Sequence, residues 1–169
     1  NEPFLVAHAD NLTIFDMPAF VNHHISRPMG AELTMMVFET LDPESCGIVE
    51  LDEYDVVQAF HEKVSSPPGN LANAAVYLLE PLVVDMMTTI GKEQTDFSTG
   101  VIPHLLGKML TYSNTCYHRD IGTIPSWIKA NQDFPIIPAT SQNAKAWATM
   151  MATGDGNLEC TLARLLASA

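Results

Sequence analysis

Apolar runs of strand length, separated by stretches of helix length, are the feature that most constrains the fold of this 169-residue chain. Three of them stand out, at residues 4–9, 33–40 and 72–79. The first is typical of a strand that is buried on both faces of a parallel sheet. Strands that alternate with helices in this way predict an α/β fold with a mixed, mainly parallel sheet. Ligands of such sheets bind beyond the carboxyl ends of the strands, which is where Asp10 falls.

Helices and one hairpin fill the remaining chain. Asp16 can cap a helix over residues 18–26, and an acidic turn at 52–55 joins two short strands into a predicted hairpin. Further elements are predicted in the second half: helices at 81–90, 97–109 and 124–131, and a strand at 111–118. Prolines then interrupt the pattern, so we assign one domain to residues 1–133 and a helical tail to residues 134–169.

Charge and cysteine content narrow the class of protein. Eight Lys and Arg against 20 Asp and Glu give a net charge of −12, which argues against nucleic-acid or anionic membrane partners. A substrate that carries phosphate would therefore need a divalent cation or a well-placed basic side chain. Three cysteines without a C-x-x-C pair favour a reduced, cytoplasmic protein, and no apolar run approaches the roughly 20 residues of a membrane helix.

Several polar residues could carry chemistry, although their spacing alone leaves alternatives open. Asp10 and Asp120 each follow a predicted strand, where two carboxylates could share one Mg²⁺ or could each simply cap a turn. Lys63 stands in acidic surroundings, as a surface ion pair or as a point charge for a phosphate group. Asn73 interrupts an apolar strand, either as a satisfied buried amide or as a reader of ligand hydroxyl groups.

Six short blocks of sequence are the most specific feature of the chain. They are, in order, FLVAHAD at 4–10, CGIVE at 46–50, FHEK at 60–63, GNLANAAVY at 69–77, FSTGVIP at 97–103 and RDIGT at 119–123. Their order and spacing resemble the sugar-1-phosphate nucleotidyltransferases, or NDP-sugar pyrophosphorylases, over residues 3 to about 132. Residues 71–77 and 117–123 are most similar in sequence to the mannose- and heptose-1-phosphate guanylyltransferases.

The resemblance implies a Rossmann-like nucleotide-diphospho-sugar transferase fold and an enzyme that joins an NTP to a sugar 1-phosphate, with release of pyrophosphate. The product would be a GDP-sugar or a similar compound for cell-surface polysaccharide. Family roles carry over to six positions: Asp10 and Asp120 as Mg²⁺ ligands, Lys63 on the sugar phosphate, Glu62 and Asn73 on sugar hydroxyls, and Gly47 as the glycine whose backbone closes on the sugar.

Three substitutions depart from the family pattern. Ala75 stands where the family usually has Gly, which adds a methyl group beside the sugar. Val64 replaces the usual Pro after Glu-Lys, and Gly100 stands where an acid commonly precedes Val-Ile-Pro.

The family's amino-terminal Gly-x-Gly-x-Arg-Leu loop, which grips the triphosphate, has no counterpart in these residues. We therefore expect the chain to be the carboxyl-terminal part of the domain, without the first strands of its sheet, and another segment to supply the loop. The expected protein partner is this missing amino-terminal segment or a second copy in a homo-oligomer. Two alternatives remain. One is a non-catalytic sugar-nucleotide-binding or regulatory relative, and the other is a structural interaction module in which Asp10 and Asp120 lie apart.

Overall fold

The computed structural model describes residues 2–90 and 96–134, and the part through Asp133 forms one compact unit. Its elements are β1 (Phe4–Ala7), β2 (Asn11–Ile14), α1 (Met17–Ile25), β3 (Leu33–Glu39), β4 (Gly47–Leu51), β5 (Val57–Glu62), β6 (Leu71–Leu79), α2 (Pro81–Ile90), α3 (Phe97–Gly100), β7 (Met109–Ser113), β8 (Tyr117–Asp120) and α4 (Ile124–Asp133). The helical tail predicted at 134–169 falls, apart from Phe134, outside the described residues.

Six of these strands form one sheet, in the order β5-β4-β6-β3-β7, with β1 also paired to β6. β3 and β7 run parallel, whereas the pairs β1/β6, β3/β6, β4/β5 and β4/β6 are antiparallel. The α/β fold with a mixed sheet is thus confirmed. The expectation that the first strand is buried in a parallel sheet is wrong: β1 pairs antiparallel, and about half of the surface of Phe4 and Leu5 is exposed.

Alternating side chains of β3 and β6 build a core on each face of the sheet. On one face, Met35 of β3 and Tyr77 of β6 pack with residues of α2 and of the turn after α3. On the other face, Met36 and Val76 pack against Phe20 of α1. The period of two along each strand places neighbouring residues on opposite faces, so one strand serves both cores.

The helix α1 begins as the sequence predicts and is tied to the sheet by a buried histidine. Asp16 Oδ1 accepts a hydrogen bond of 2.9 Å from the Ala19 amide, which satisfies one of the unpaired donors of the first turn. The buried His24 ring lies 2.7 Å from Thr34 Oγ1 and 3.1 Å from Glu80 Oε1. These contacts join α1 to β3 and to the chain after β6.

The second half departs from the prediction at two places. The helix expected over 97–109 ends at Gly100, followed by a 3₁₀ turn at Ile102–Leu105, because Pro103 has no amide hydrogen to continue the helical bonds. The strand expected over 111–118 is two strands, β7 and β8, separated by a turn in which Asn114 Oδ1 accepts from the Cys116 amide. β8 belongs to a second, two-stranded sheet with β2, a strand that the sequence did not predict.

Every helix among the described residues is too short or too polar to cross a bilayer.

The buried His24 predicts that the protein loses stability in mild acid. Burial, aided by the charge of Arg27, lowers the pKa of His24 below its usual value of 6.5. The unfolded chain therefore binds the proton first, so the free energy of unfolding should fall as the pH drops below about 6.5, until the folded protein also takes up the proton. Burial lowers the pKa of His118 to about 4 and acts in the same direction. Urea denaturation at pH 7 and pH 5 measures the effect.

A His24→Gln variant should show a smaller loss of stability between the two pH values than the parent protein. His104→Gln, which changes an exposed histidine, is the matched control and should keep the parent's pH dependence. Equal pH dependence of all three proteins would contradict the assignment.

Candidate active site

The strand β6 changes its neighbour halfway along one edge, and a cavity opens at that point. Ala72 of β6 pairs with Ile48 of β4, whereas Val76 pairs with Ala7 of β1. The cavity between β4 and β1 has a volume of about 290 Å³. All six site residues predicted from the sequence line it: Asp10, Gly47, Glu62, Lys63, Asn73 and Asp120.

The pairing of β2 with β8 brings two carboxylates together from positions 110 residues apart in the chain. Asn11 lies opposite Asp120 in the register, and the Ile121 amide donates a 2.7 Å hydrogen bond to the Asp10 carbonyl. A Cβ atom added to Gly122 would lie 3.1 Å from Asp120 Oδ1 and 3.3 Å from Asp10 Oδ2. Both oxygens therefore border the same small space, which a side chain at Gly122 would fill. This proximity argues against the interaction module that requires them to lie apart.

The donor set at this point fits a hard divalent cation. Both ligand candidates are carboxylates on exposed residues, and Mg²⁺ prefers one or two carboxylates together with water and phosphate oxygens. Among the described residues, neither carboxylate is ion-paired with a Lys or Arg. In the same part of the chain, no group of three or more His, Cys, Asp and Glu side chains could hold a metal without other ligands. Substrate or water oxygens would thus complete any coordination here.

The end of the β4–β5 hairpin supplies the opposite wall of the cavity. Gly47 lies opposite Glu62 in the register, and a Cβ atom on Gly47 would come within 2.5 Å of the Phe60 ring and 2.7 Å of Glu62 Oε2. A larger residue at position 47 would therefore have to displace the Phe60 ring and the Glu62 carboxylate, independently of any ligand.

Lys63 follows Glu62 with an unusual backbone conformation. Its φ of 49° lies in the left-handed region, and its amide donates a 3.2 Å hydrogen bond to the Cys46 carbonyl. The ammonium Nζ is 3.7 Å from Glu62 Oε1, and the side chain is 67% exposed. Lys63 is the one Lys or Arg among the described residues that line the cavity, so it is the permanent positive charge available there.

Asn73 makes two hydrogen bonds within the protein. Its Oδ1 accepts from the Ala75 amide at 2.9 Å, and its Nδ2 donates to the Tyr77 hydroxyl at 2.7 Å. Burial raises the pKa of Tyr77 well above its usual range, so the hydroxyl stays protonated and neutral. The arrangement matches the satisfied-amide alternative and leaves a second Nδ2 hydrogen outside these two bonds.

Ala75, which departs from the family's glycine, has a φ of 51°. The left-handed region is one that glycine enters without steric cost and that alanine rarely adopts. The structure therefore provides a backbone reason for the glycine that the resemblance leads one to expect at this position.

Sequence reasoning missed further residues that line the cavity, among them His118 and Asp96. The His118 ring lies 2.9 Å from Thr13 Oγ1 and packs against Phe38, and burial lowers its pKa to about 4 although Asp120 opposes the shift. It is therefore neutral at neutral pH. The signal that could have revealed it is its spacing of two residues from Asp120, which places both on one face of a strand.

Comparison with known proteins agrees with the fold and gives the family. A sequence model of the nucleotidyl transferase family matches residues 1–135. A mannose-1-phosphate guanylyltransferase of Mycobacterium tuberculosis is 31% identical over 137 residues, which cover 79% of this chain and 37% of that protein. A glucose-1-phosphate adenylyltransferase of Halalkalibacterium halodurans is 29% identical over 141 residues, which cover 78% and 36%. The chain thus spans little more than a third of the length of these relatives.

A solved structure is similar as well. It is a putative glucose-1-phosphate thymidylyltransferase from Bacillus anthracis in complex with sucrose, with a TM-score of 0.62 and 19% sequence identity, over 81% of this chain and 57% of that one. This likeness confirms the Rossmann-like nucleotidyltransferase fold. Since the family model covers most of the sequence, and the same ordered blocks line one cavity, the chain belongs to the nucleotidyl transferase family.

Proposed function

We propose that the protein containing this chain transfers a nucleotidyl group from an NTP to a sugar 1-phosphate, and that these residues contribute its sugar and metal sites. The observation that carries the proposal is the convergence of six family positions, from β4, β5, β6, β8 and the turn after β1, on one cavity. A triphosphate-binding loop would come from a segment outside these 169 residues.

In this reaction a phosphate oxygen of the sugar 1-phosphate attacks the α-phosphorus of the NTP in line. The new P–O bond gives the NDP-sugar, and the bond to the β-phosphate breaks to release pyrophosphate. The attacking oxygen is already anionic, so no side chain has to remove a proton from it. Positioning and charge compensation then account for most of the catalysis.

The residues of the cavity have separate parts in this proposal. Lys63 compensates the charge of the sugar phosphate, Glu62 accepts hydrogen bonds from sugar hydroxyls, and Asn73 offers them its second Nδ2 hydrogen. Asp10 and Asp120 would hold Mg²⁺, which when bound neutralises charge on the transferring phosphoryl group. The need for a cation follows from the net charge of −12, since Lys63 alone balances little of a triphosphate.

A finer proposal is that the product is a GDP-sugar made in the cytoplasm, with no nucleic-acid or membrane partner. The choice of a GDP-sugar rests on the amino-acid sequence of residues 71–77 and 117–123, whereas the location and the exclusion of such partners rest on the cysteine content and the net charge of −12. Guanylyl- and adenylyltransferases match the chain at 31% and 29% identity, so GTP and ATP should be compared in the same assay.

Asp120→Asn should abolish Mg²⁺-dependent pyrophosphate release by the protein that contains this chain. The rate should fall by about 100-fold or more. Even the loss of a residue that only hydrogen-bonds to a metal ligand typically lowers metal affinity or activity by about 10- to 100-fold. A coupled pyrophosphate assay with NTP and sugar 1-phosphate measures it. Asp85→Asn, an equivalent change on the exposed side of α2, should retain activity. Full turnover by Asp120→Asn would refute the assignment, and we expect no turnover from the 169 residues alone.

Lys63→Gln should raise the KM for sugar 1-phosphate by about 10- to 100-fold, the equivalent of one charge-assisted hydrogen bond. The KM for the NTP should change much less, because the lysine is assigned to the sugar phosphate. Initial rates at varied concentrations of each substrate separate the two values. Lys108→Gln changes a lysine that is ion-paired with Glu32 and lies outside the cavity, and serves as the control. An unchanged KM would indicate that Lys63 forms only a surface ion pair with Glu62.

A further inference from the structure

β6 carries two extra residues at the point where it borders the cavity. Between the pairs Met35–Tyr77 and Val37–Asn73, β3 advances two residues while β6 advances four. We refer to residues 73–77 as the β6 bulge. Ala75 adopts its left-handed conformation inside this bulge. An L residue rarely adopts such a conformation unless neighbouring groups hold it there.

The Asn73 side chain holds the bulge from both sides. Its Oδ1 accepts from the Ala75 amide inside the bulge, and its Nδ2 donates to the hydroxyl of Tyr77 at the far end. Tyr77 is completely buried in the core beneath the sheet, so this end of the hydrogen-bonded chain is anchored. Asn73 therefore replaces part of the strand pairing that the extra residues interrupt.

The carbonyl groups of the bulge accept hydrogen bonds from the turn that carries Asp10. The His8 amide donates to the Ala75 carbonyl at 3.1 Å, and Asn11 Nδ2 donates to the Ala74 carbonyl at 3.2 Å. These two residues flank Asp10 in the chain, and the Asn11 amide closes the turn on the His8 carbonyl at 3.4 Å. Asp10 thus lies in a segment attached to the bulge on both sides.

We propose that Asn73 is a positioning residue for Asp10: by clamping the β6 bulge it sets the place of the Asp10 carboxylate beside that of Asp120. The inference rests on the proposed function, in which these two carboxylates hold a divalent cation. It assigns Asn73 a part in metal binding that is separate from any contact with a sugar.

The first experiment titrates the 169-residue chain with Mn²⁺ alone and follows the unbound ion by electron paramagnetic resonance. Asn73→Ala should weaken Mn²⁺ binding about tenfold, the size of effect typical of residues that orient metal ligands. Asn70→Ala removes an exposed asparagine amide just before β6 and should leave binding within twofold of the parent. An Asn73→Ala variant within twofold of the parent would overturn the inference.

A second variant distinguishes positioning from a general loss of structure. Glycine takes the left-handed conformation without help, so Asn73→Ala combined with Ala75→Gly should recover most of the lost Mn²⁺ affinity. A residue that only contacted a ligand would not be replaced by a glycine two positions away. Failure of the double variant to recover affinity would also overturn the inference.

Amide hydrogen exchange tests the same linkage without any metal. Asn73→Ala should speed exchange of the His8 and Ile121 amides, which bind the bulge and the Asp10 carbonyl, and the double variant should slow it again. The amide of Ile48 in β4 should change little. If the parent chain binds no Mn²⁺, the proposed metal site fails, and the exchange rates alone decide whether Asn73 holds the Asp10 turn. Equal exchange in the parent and Asn73→Ala would then refute it.

Discussion

The structure depends on one constraint, the β6 bulge in a strand that must pair with neighbours on both sides. β6 pairs with β3 along one edge, and with β4 and then β1 along the other. The extra residues let it bend away from a continuous ladder, as bulges commonly do beside active sites. The gap between β4 and β1 becomes the cavity, and the backbone groups that the bulge leaves unpaired bind Asn73, His8 and Asn11.

Backbone strain is concentrated at this cavity. Three non-glycine residues of the described chain have positive φ angles, and two of them, Lys63 and Ala75, line it. Each such conformation costs on the order of 1–3 kcal/mol, which surrounding bonds must offset. The Lys63 amide bonds to the Cys46 carbonyl, and the Ala75 amide bonds to Asn73. The third, Asp55, closes the acidic hairpin turn, where its carbonyl accepts from the Thr111 amide.

Much of the secondary structure could be predicted, because it depends on local patterns. The strands around 33–40 and 72–79, the hairpin around the turn at 52–55 and the helix capped by Asp16 follow from apolar periodicity, turn residues and capping, and the structure confirms them. β2 could not be predicted in the same way, since its four alternately polar and apolar residues are too few to identify a strand and its partner β8 lies more than 100 residues away. The helix expected over 97–109 was wrong because Pro103, which a helix tolerates near its start or at a kink, instead stands where the helical hydrogen bonds end.

By itself, the sequence determined the family and identified the candidate site residues. The six ordered blocks, and the candidates Asp10, Lys63 and Asp120 within them, are recognised from residue types at particular positions alone. Only the tertiary structure decided that the two carboxylates border one space, that Gly47 lies directly against Phe60, and that Asn73 is bonded to the bulge. These facts depend on pairings between distant strands and on a single backbone angle at Ala75. Neither the strand pairings nor this angle produces a periodic pattern in the sequence, because both are set only when the strands pack together.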